Sequence, residues 1–161
     1  MVAVNLDASD WKILQILQNN GRITNVALAK MLGISAPPCL RRVRALEKAG
    51  MIKGYCTILA EKELGFDLTV FAMVGLHSQS EADLMAFEKL VDSWPLVREA
   101  YMLSGEADYI LKCVAPDLTV FQNFVIDDLT AAPNVDNVKT SLTIKCAKSE
   151  SGVPLEFVKP S

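Results

Sequence analysis

The stretch GISAPPCLRRVRALEKAG, residues 33–50, decides the fold of the first third of this 161-residue chain. Its pattern predicts a helix that begins near Pro37. Leu40, Val43 and Leu46 recur every three residues, which places them on one apolar helix face. Three basic side chains lie off that stripe: Arg41, Arg42 and Arg44. The stretch therefore predicts a basic helix that packs on the protein through its apolar side.

Two prolines, at positions 37 and 38, bear on how this helix starts. Proline is tolerated in the first helical turn because the N–H that it lacks has no intrahelical acceptor there. Ser35 would ordinarily cap the amides two or three residues further on, but those positions hold the prolines. We therefore expect the helix to start one residue later, which leaves the Ser35 hydroxyl for another acceptor such as a phosphate oxygen.

A shorter helix is predicted immediately upstream, over residues 24–32, with Thr24 as its N-cap and Gly33 as its C-terminal stop. A helix, a turn and a basic helix form the helix-turn-helix arrangement, in which the second helix enters the major groove of DNA. An ordinary helical hairpin with solvated arginines fits the same spacing. Periodicity alone leaves both interpretations open.

The residues on either side extend this unit. A first helix is predicted over residues 6–19, with Asp7 and Asp10 spaced as a capping box. After the basic helix, MIKGYCTIL (residues 51–59) is rich in strand formers and predicts a short wing or a strand leading out of the domain. A polar linker ends at Gly65, so the predicted domains are residues 1–65 and 66–161.

The charge of the chain is divided between these two parts. Residues 1–60 hold eight basic and three acidic side chains, a charge of +5. The rest of the chain holds eight basic and sixteen acidic ones, a charge of −8. This division indicates that only the first part meets a polyanion. The hydrophobic fraction of 51% is high for a monomer of this size, so we expect subunit interfaces to cover part of the surface.

Composition also indicates the cellular compartment and whether a metal or cofactor site is expected. No run approaches the roughly 18 apolar residues of a membrane span, and the first ten residues lack a signal-peptide pattern, so a cytoplasmic protein is expected. We expect no metal site and no other cofactor, because the single histidine, His77, and the cysteines do not cluster. The cysteines are expected to be reduced and mostly buried: Cys39, Cys56, Cys113 and Cys146.

The second half alternates strand and helix patterns. Strands are predicted over residues 68–77, 97–103, 108–115 and 135–148, and helices over 81–94 and 117–129. The order βαββαβ predicts a ferredoxin-like fold, an α+β antiparallel sheet with both helices on one face. An RNA-binding sheet would carry paired aromatic residues with basic neighbours, whereas these strands offer mainly Val, Met, Leu, Thr and Ala. Dimerisation through the open face is therefore favoured.

Taken together, these residues resemble the Lrp/AsnC family of bacterial and archaeal transcription regulators. The resemblance rests on LDASDWKIL, NNGRITNVALAKMLGIS, PPCLRRVRALEKAGMIKGY, LTVF, SGEADYILK and SGVPL. It implies a winged helix-turn-helix domain followed by an amino-acid-sensing βαββαβ domain. It also implies dimers that assemble further, often into octamers, and bind small effectors near the interfaces between sensing domains.

Carried onto this sequence, the resemblance implies two sets of site residues. The DNA-reading unit spans residues 25–44, and its candidate contacts are Asn25, Ser35, Pro37, Arg41, Arg42 and Arg44. The candidate effector residues are Met102, Leu103, Ser104, Gly105, Glu106, Ala107, Asp108, Tyr109, Thr140 and Ser141.

The effector loop is chemically suited to an amino acid. Gly105 allows a ligand to approach the backbone, exposed loop amides can receive a carboxylate, and Asp108 or Glu106 can take an ammonium group. A plain hairpin turn with solvated acidic residues fits the same sequence. Met102, Leu103 and Ser141 could line the side-chain pocket, or simply pack.

The sequence thus predicts a regulator that binds double-stranded DNA under the control of a small effector. Its arginines would neutralise phosphates or bond guanine edges, and an amino acid would change assembly or the placement of the DNA-binding units. Two alternatives remain. An enzyme is disfavoured because no nucleophile elbow, P-loop or dinucleotide fingerprint is present. An architectural DNA-compacting protein without an effector has the same basic unit.

Overall fold

The computed structural model describes residues 6–150 and 152–157. Residues 1–5, which bear on the expected lack of a signal peptide, and Ser151, the first residue of the SGVPL motif, lie outside the described residues. The chain divides into two compact units. The first holds the described residues up to Ile58 together with those after Ala147, and the second spans residues 59–147.

Three helices build the first unit: α1 (Ala8–Asn19), α2 (Asn25–Leu32) and α3 (Ala36–Lys48). The predicted capping box is present, since the backbone N–H of Asp10 donates to Asp7 Oδ1 at 2.9 Å and that of Asp7 to Asp10 Oδ2 at 3.2 Å. The Thr24 hydroxyl caps α2 by accepting from the Ala27 N–H at 3.2 Å. Gly33 ends α2 with a φ of 71°, a left-handed conformation that favours glycine.

Helix α3 begins at Ala36, one residue before the predicted start, and Ser35 occupies the extended N-cap position. The Ser35 side chain makes no cap hydrogen bond. Pro37 and Pro38 are the second and third helical residues, so the two amides that Ser35 would bond do not exist. The expectation that this hydroxyl does not bond the amides of the first turn is confirmed, and its contact with another acceptor stays a prediction.

The first core corrects the predicted apolar stripe of α3. The fully buried residues of this core are Ile13, Leu28, Ala29, Cys39 and Leu46. Leu40, expected to point inward, is 38% exposed. The inward stripe follows the spacing i, i+4, i+7 of positions 39, 43 and 46, so Cys39 takes the place expected for Leu40.

The second unit has the predicted βαββαβ order. Its strands are β1 (Leu68–Leu76), β2 (Val97–Met102), β3 (Tyr109–Ala115) and β4 (Val135–Leu142). They pair antiparallel in the order β2-β3-β1-β4. The helices are α4 (Glu81–Ser93) and α5 (Leu118–Phe124), and α5 continues into a π-helical turn at Val125–Leu129. Apolar residues of both helices and of alternate strand positions form one core.

Three details of the prediction are wrong. Strand β4 ends at Leu142 rather than at residue 148, because its neighbour β1 begins at Leu68, and the last hydrogen bond between the two joins the Thr143 N–H to the Thr69 carbonyl. Residues 51–60, all of them described, form no strand. Only Cys39 and Cys113 are buried, whereas Cys56 and Cys146 are exposed. The polar linker instead contains a short 3₁₀ helix at Lys62–Leu64.

The C-terminal segment returns to α1. The Gln18 side-chain amide donates to the carbonyl of Val153 at 2.9 Å and accepts from the Val153 N–H at 3.0 Å. Gly152 has a φ of 95°, and a Cβ there would collide with the Gln18 side chain. A side-chain amide thus pairs with the backbone as a neighbouring strand would. No helix in the described part of the chain is long and apolar enough to cross a bilayer.

Candidate DNA interface and ligand site

Helix α3 presents an exposed stripe opposite its buried one. Pro37, Leu40, Arg41 and Arg44 are all exposed and follow the spacing i, i+3, i+4, i+7 of one helix face. Among the described residues, no ion pair involves Arg41 or Arg44. Two uncommitted guanidinium groups on one outward face are what contact with phosphates or guanine edges requires.

Arg42 has a different environment from its two neighbours. Its Nη1 lies 2.8 Å from Asp7 Oδ2 and 2.8 Å from Asp10 Oδ1, at the start of α1. The hydrogen bonds that the Arg42 guanidinium donates to Asp10 and then to Asp7 raise its pKa. The backbone N–H of Asp10 and the Arg42 guanidinium lower the pKa of Asp7. The structure therefore places Arg42 as the connection between α3 and α1, with its charge compensated inside the protein.

Asn25 connects the other pair of helices. Its Nδ2 donates to the Ala36 carbonyl at 2.8 Å, which fixes the turn between α2 and α3. Its Oδ1 is buried and has no hydrogen-bond partner among the residues that the structure describes. Asn25 thus positions the start of α3, whereas Ser35 and Pro37 are exposed at that start.

Sequence reasoning missed the contribution of Tyr55. This residue follows the three helices and turns back onto them, with its hydroxyl donating to Glu47 Oε1 on α3 at 3.0 Å. Its ring lies against Gly21, where an added Cβ would come within 3.2 Å of Tyr55 Cδ1. Burial and the bond to Glu47 raise the pKa of Tyr55. The ring borders a cavity of about 210 Å³ between the helices, and no local sequence pattern links positions 21, 47 and 55.

The predicted effector loop joins β2 to β3. Its ends are tied by the Leu103 N–H, which donates to the Asp108 carbonyl at 2.8 Å. Ser104, Gly105 and Glu106 are exposed, and Ala107 is half-buried. An exposed turn with accessible amides is compatible with the predicted role in receiving a carboxylate.

The Asp108 side chain and backbone make hydrogen bonds within the protein. Its Oδ2 accepts from the Leu76 N–H at 2.7 Å, and its Oδ1 accepts from Gln79 Nε2 at 2.7 Å. Its own N–H donates to the Val74 carbonyl at 2.9 Å. The carboxylate therefore attaches the loop to the end of β1, and Glu106 is the loop carboxylate left exposed.

We expect Asp108→Ala to lower the free energy of unfolding of the second unit by about 1.5–3 kcal/mol, the range for hydrogen bonds to a charged group. Urea unfolding of the full chain measures this value. Glu106→Ala, in the same loop but exposed, should change the stability by less than about 0.5 kcal/mol. Equal values for the two variants would contradict the anchoring role of Asp108.

The remaining effector candidates do not converge within one chain. Tyr109 is buried beneath α4, where its hydroxyl donates to Glu88 Oε1 at 3.0 Å, and burial raises its pKa to about 12. Met102 pairs with Tyr109, while Thr140 and Ser141 pair with Ala72 and Phe71 on β1. Phe71 lies three residues, about 10 Å, along β1 from the Val74 that pairs with Tyr109. A ligand touching the loop and Ser141 together would need residues of another copy.

His77 and the acidic residues form no metal centre in the described residues. His77 Nδ1 lies 3.1 Å from Asp136 Oδ1, and both side chains are largely exposed. No group of three His, Cys, Asp or Glu side chains there is placed to hold a metal ion.

Two family models match the chain: "Winged helix-turn-helix DNA-binding" over residues 6–53 and "Lrp/AsnC ligand binding domain" over residues 69–153. A leucine-responsive regulatory protein of Rhizobium meliloti is 58% identical over 96% of this chain and 99% of that protein. The Bkd operon transcriptional regulator of Pseudomonas aeruginosa is 37% identical over 93% of this chain and 98% of its own length.

Solved structures agree with these relatives. A transcriptional regulator of Neisseria meningitidis in complex with L-Met superposes with a TM-score of 0.90 at 36% identity, over 94% of this chain and 98% of that one. An AsnC family regulator of Agrobacterium tumefaciens superposes with a TM-score of 0.89 at 30% identity, over 96% of this chain and 100% of that one.

A helix-turn-helix unit followed by a ligand-binding α+β unit defines the class as a transcriptional regulator with a ligand-binding domain. The predicted fold class is confirmed. The chain belongs to the Lrp/AsnC family.

Proposed function

We propose that this regulator binds double-stranded DNA sequence-specifically through the outward face of α3, and that an amino acid bound by the second unit modulates that binding. The observation that carries the first part is the pair Arg41 and Arg44. Both are exposed on a helix whose opposite face is buried, and neither has an ion-pair partner in the described part of the chain. Arg42 and Asn25 support the reading face by holding α3 in place.

The amino-acid effector is supported by the Neisseria regulator, whose structure was solved with L-Met. Loop amides around Gly105 would receive the ligand's carboxylate and Glu106 its ammonium group. Met102 and Leu103 adjoin the loop. Thr140 and Ser141 would come near the ligand from another copy, because a single chain separates them from the loop. Asp108 would hold the loop in shape rather than contact the ligand.

We also propose that the chain acts as a homodimer that assembles further, up to an octamer. The open face of the sheet carries Phe71, Met73 and Ile110 beside a 2.7 Å ion pair between Lys112 and Glu99. Apolar side chains around one satisfied ion pair suit burial against a second copy better than solvent. The regulator would work in the cytoplasm without a cofactor and without catalysing a reaction.

A thermal unfolding screen of the full chain against the common L-amino acids tests the effector. An amino acid held at about 100 times its dissociation constant should stabilise the protein by about 2.7 kcal/mol, and the D-enantiomer at the same concentration serves as the control. Recovery of the ligand unchanged after incubation would agree with the absence of catalysis. Identical unfolding with every amino acid would contradict the effector and favour an architectural DNA-binding protein.

A further inference from the structure

One large apolar side chain lies among the cations on the outward face of α3. Leu40 is 38% exposed, with Pro37 one turn before it and Arg41 and Arg44 beside and after it. The buried face of α3 is complete without it, because Cys39 and Leu46 are 0% and 2% exposed. One side of Leu40 borders the cavity near Tyr55, and the remainder faces outward.

A single exposed leucine is ordinary on a protein surface, so exposure alone does not indicate a function. The position of Leu40 in α3 does. Leu40 is the fifth residue of α3, and the N-terminal residues of the second helix are those that contact base edges in a helix-turn-helix protein. In the major groove the one apolar feature that distinguishes bases is the 5-methyl group of thymine. Arginines on the same face can bond guanine or phosphate, but they cannot recognise a methyl group.

We propose that Leu40 recognises the 5-methyl group of a thymine in each half-site of the operator, which rests on the proposed DNA-binding face of α3. Arg41 and Arg44 anchor the helix in the groove, and Leu40 sets a preference for thymine at one position. Contact with the methyl group also removes the exposed part of Leu40 from water, which is favourable in proportion to the apolar area buried.

Deoxyuridine scanning tests this directly, because deoxyuridine pairs with adenine as thymidine does and lacks only the 5-methyl group. The native chain first selects duplexes from a random-sequence pool. Each thymine of a selected duplex is then replaced singly by deoxyuridine and the dissociation constant is measured. We expect one position per half-site at which the replacement weakens binding about fourfold, the effect of one methyl-sized group.

The same scan is repeated with Leu40→Ala and with Ile144→Ala, a matched control that shortens a fully exposed aliphatic side chain in the second unit. In Leu40→Ala, the sensitive position should tolerate deoxyuridine, while the Ile144→Ala profile should equal that of the native chain. Circular dichroism establishes that each variant is folded, and the native scan gives a result even if Leu40→Ala does not fold.

Two results would overturn the inference while leaving DNA binding intact. One is a native chain that is indifferent to deoxyuridine at every position, and the other is methyl dependence that persists in folded Leu40→Ala. Failure of the native chain to select any duplex from the pool would instead overturn the proposed DNA-binding function.

Discussion

A chain carrying both Arg41→Ala and Arg44→Ala is expected to bind duplex DNA at least about thirtyfold more weakly than the native chain, since each arginine contact is worth about 1–3 kcal/mol. Both guanidinium groups are exposed on the outward face of α3, so their removal leaves the buried face unchanged. Each phosphate contact that is lost should also lower the slope of log K against log salt by about 1. Fluorescence anisotropy of a labelled duplex over a salt series measures both quantities.

The charge-matched control is Arg98→Ala with Lys145→Ala, two exposed cations of the second unit. This pair changes the net charge by the same amount as the double variant and should leave DNA affinity within about twofold, because neither residue belongs to the proposed DNA-binding face of α3. Arg42→Ala distinguishes a residue that contacts DNA from one that only holds α3 in place. It should destabilise the first unit by freeing Asp7 and Asp10, with a salt slope like that of the native chain. Native affinity in the Arg41/Arg44 double variant would remove this face from the DNA interface.

Phe87→Ala is expected to lower the free energy of unfolding of the second unit by about 3–5 kcal/mol, the usual cost of truncating a buried phenylalanine. Phe87 is 1% exposed and lies between Trp94 and Tyr109, with ring centroids 6.0 Å and 4.9 Å away. The cavity left behind would be lined by these two aromatic rings, which are held by α4 and β3 and cannot fill it fully.

Tryptophan fluorescence during urea unfolding measures this loss. The chain has two tryptophans, and Trp11→Phe leaves Trp94 as the reporter of the second unit. Met85→Ala truncates an exposed residue of the same helix and should change the stability by less than about 0.5 kcal/mol. A cost for Phe87→Ala as small as that of Met85→Ala would contradict the packing described for this core.

The sequence predicted those features that depend on neighbouring residues. The cap of α1 at Asp7, the cap of α2 at Thr24 and the idle hydroxyl of Ser35 each follow from residues two or three positions away. The βαββαβ order likewise follows from local hydrophobic periods. The assignment of Leu40 to the core failed because an interval of three residues fits two overlapping helix faces, and only the packed neighbours distinguish them.

The roles of individual polar residues could not be predicted, since they depend on partners distant in sequence. Arg42 has the same local pattern as Arg41 and Arg44, but carboxylates about thirty residues away compensate its charge. In the sequence Asp108 resembles a free loop carboxylate, but in the structure its oxygens accept hydrogen bonds from the Leu76 N–H and the Gln79 side chain. Within one chain, the effector candidates lie in three places: the loop, the core and β4. The sequence therefore indicated which segments are candidates for the ligand site, but not how far apart they lie in one chain.

The pairing of Gln18 with Val153 makes the DNA-binding unit a discontinuous domain, built from both ends of the described chain with the ligand-binding unit inserted between them. A fragment that stops at residue 58 therefore omits part of its own domain.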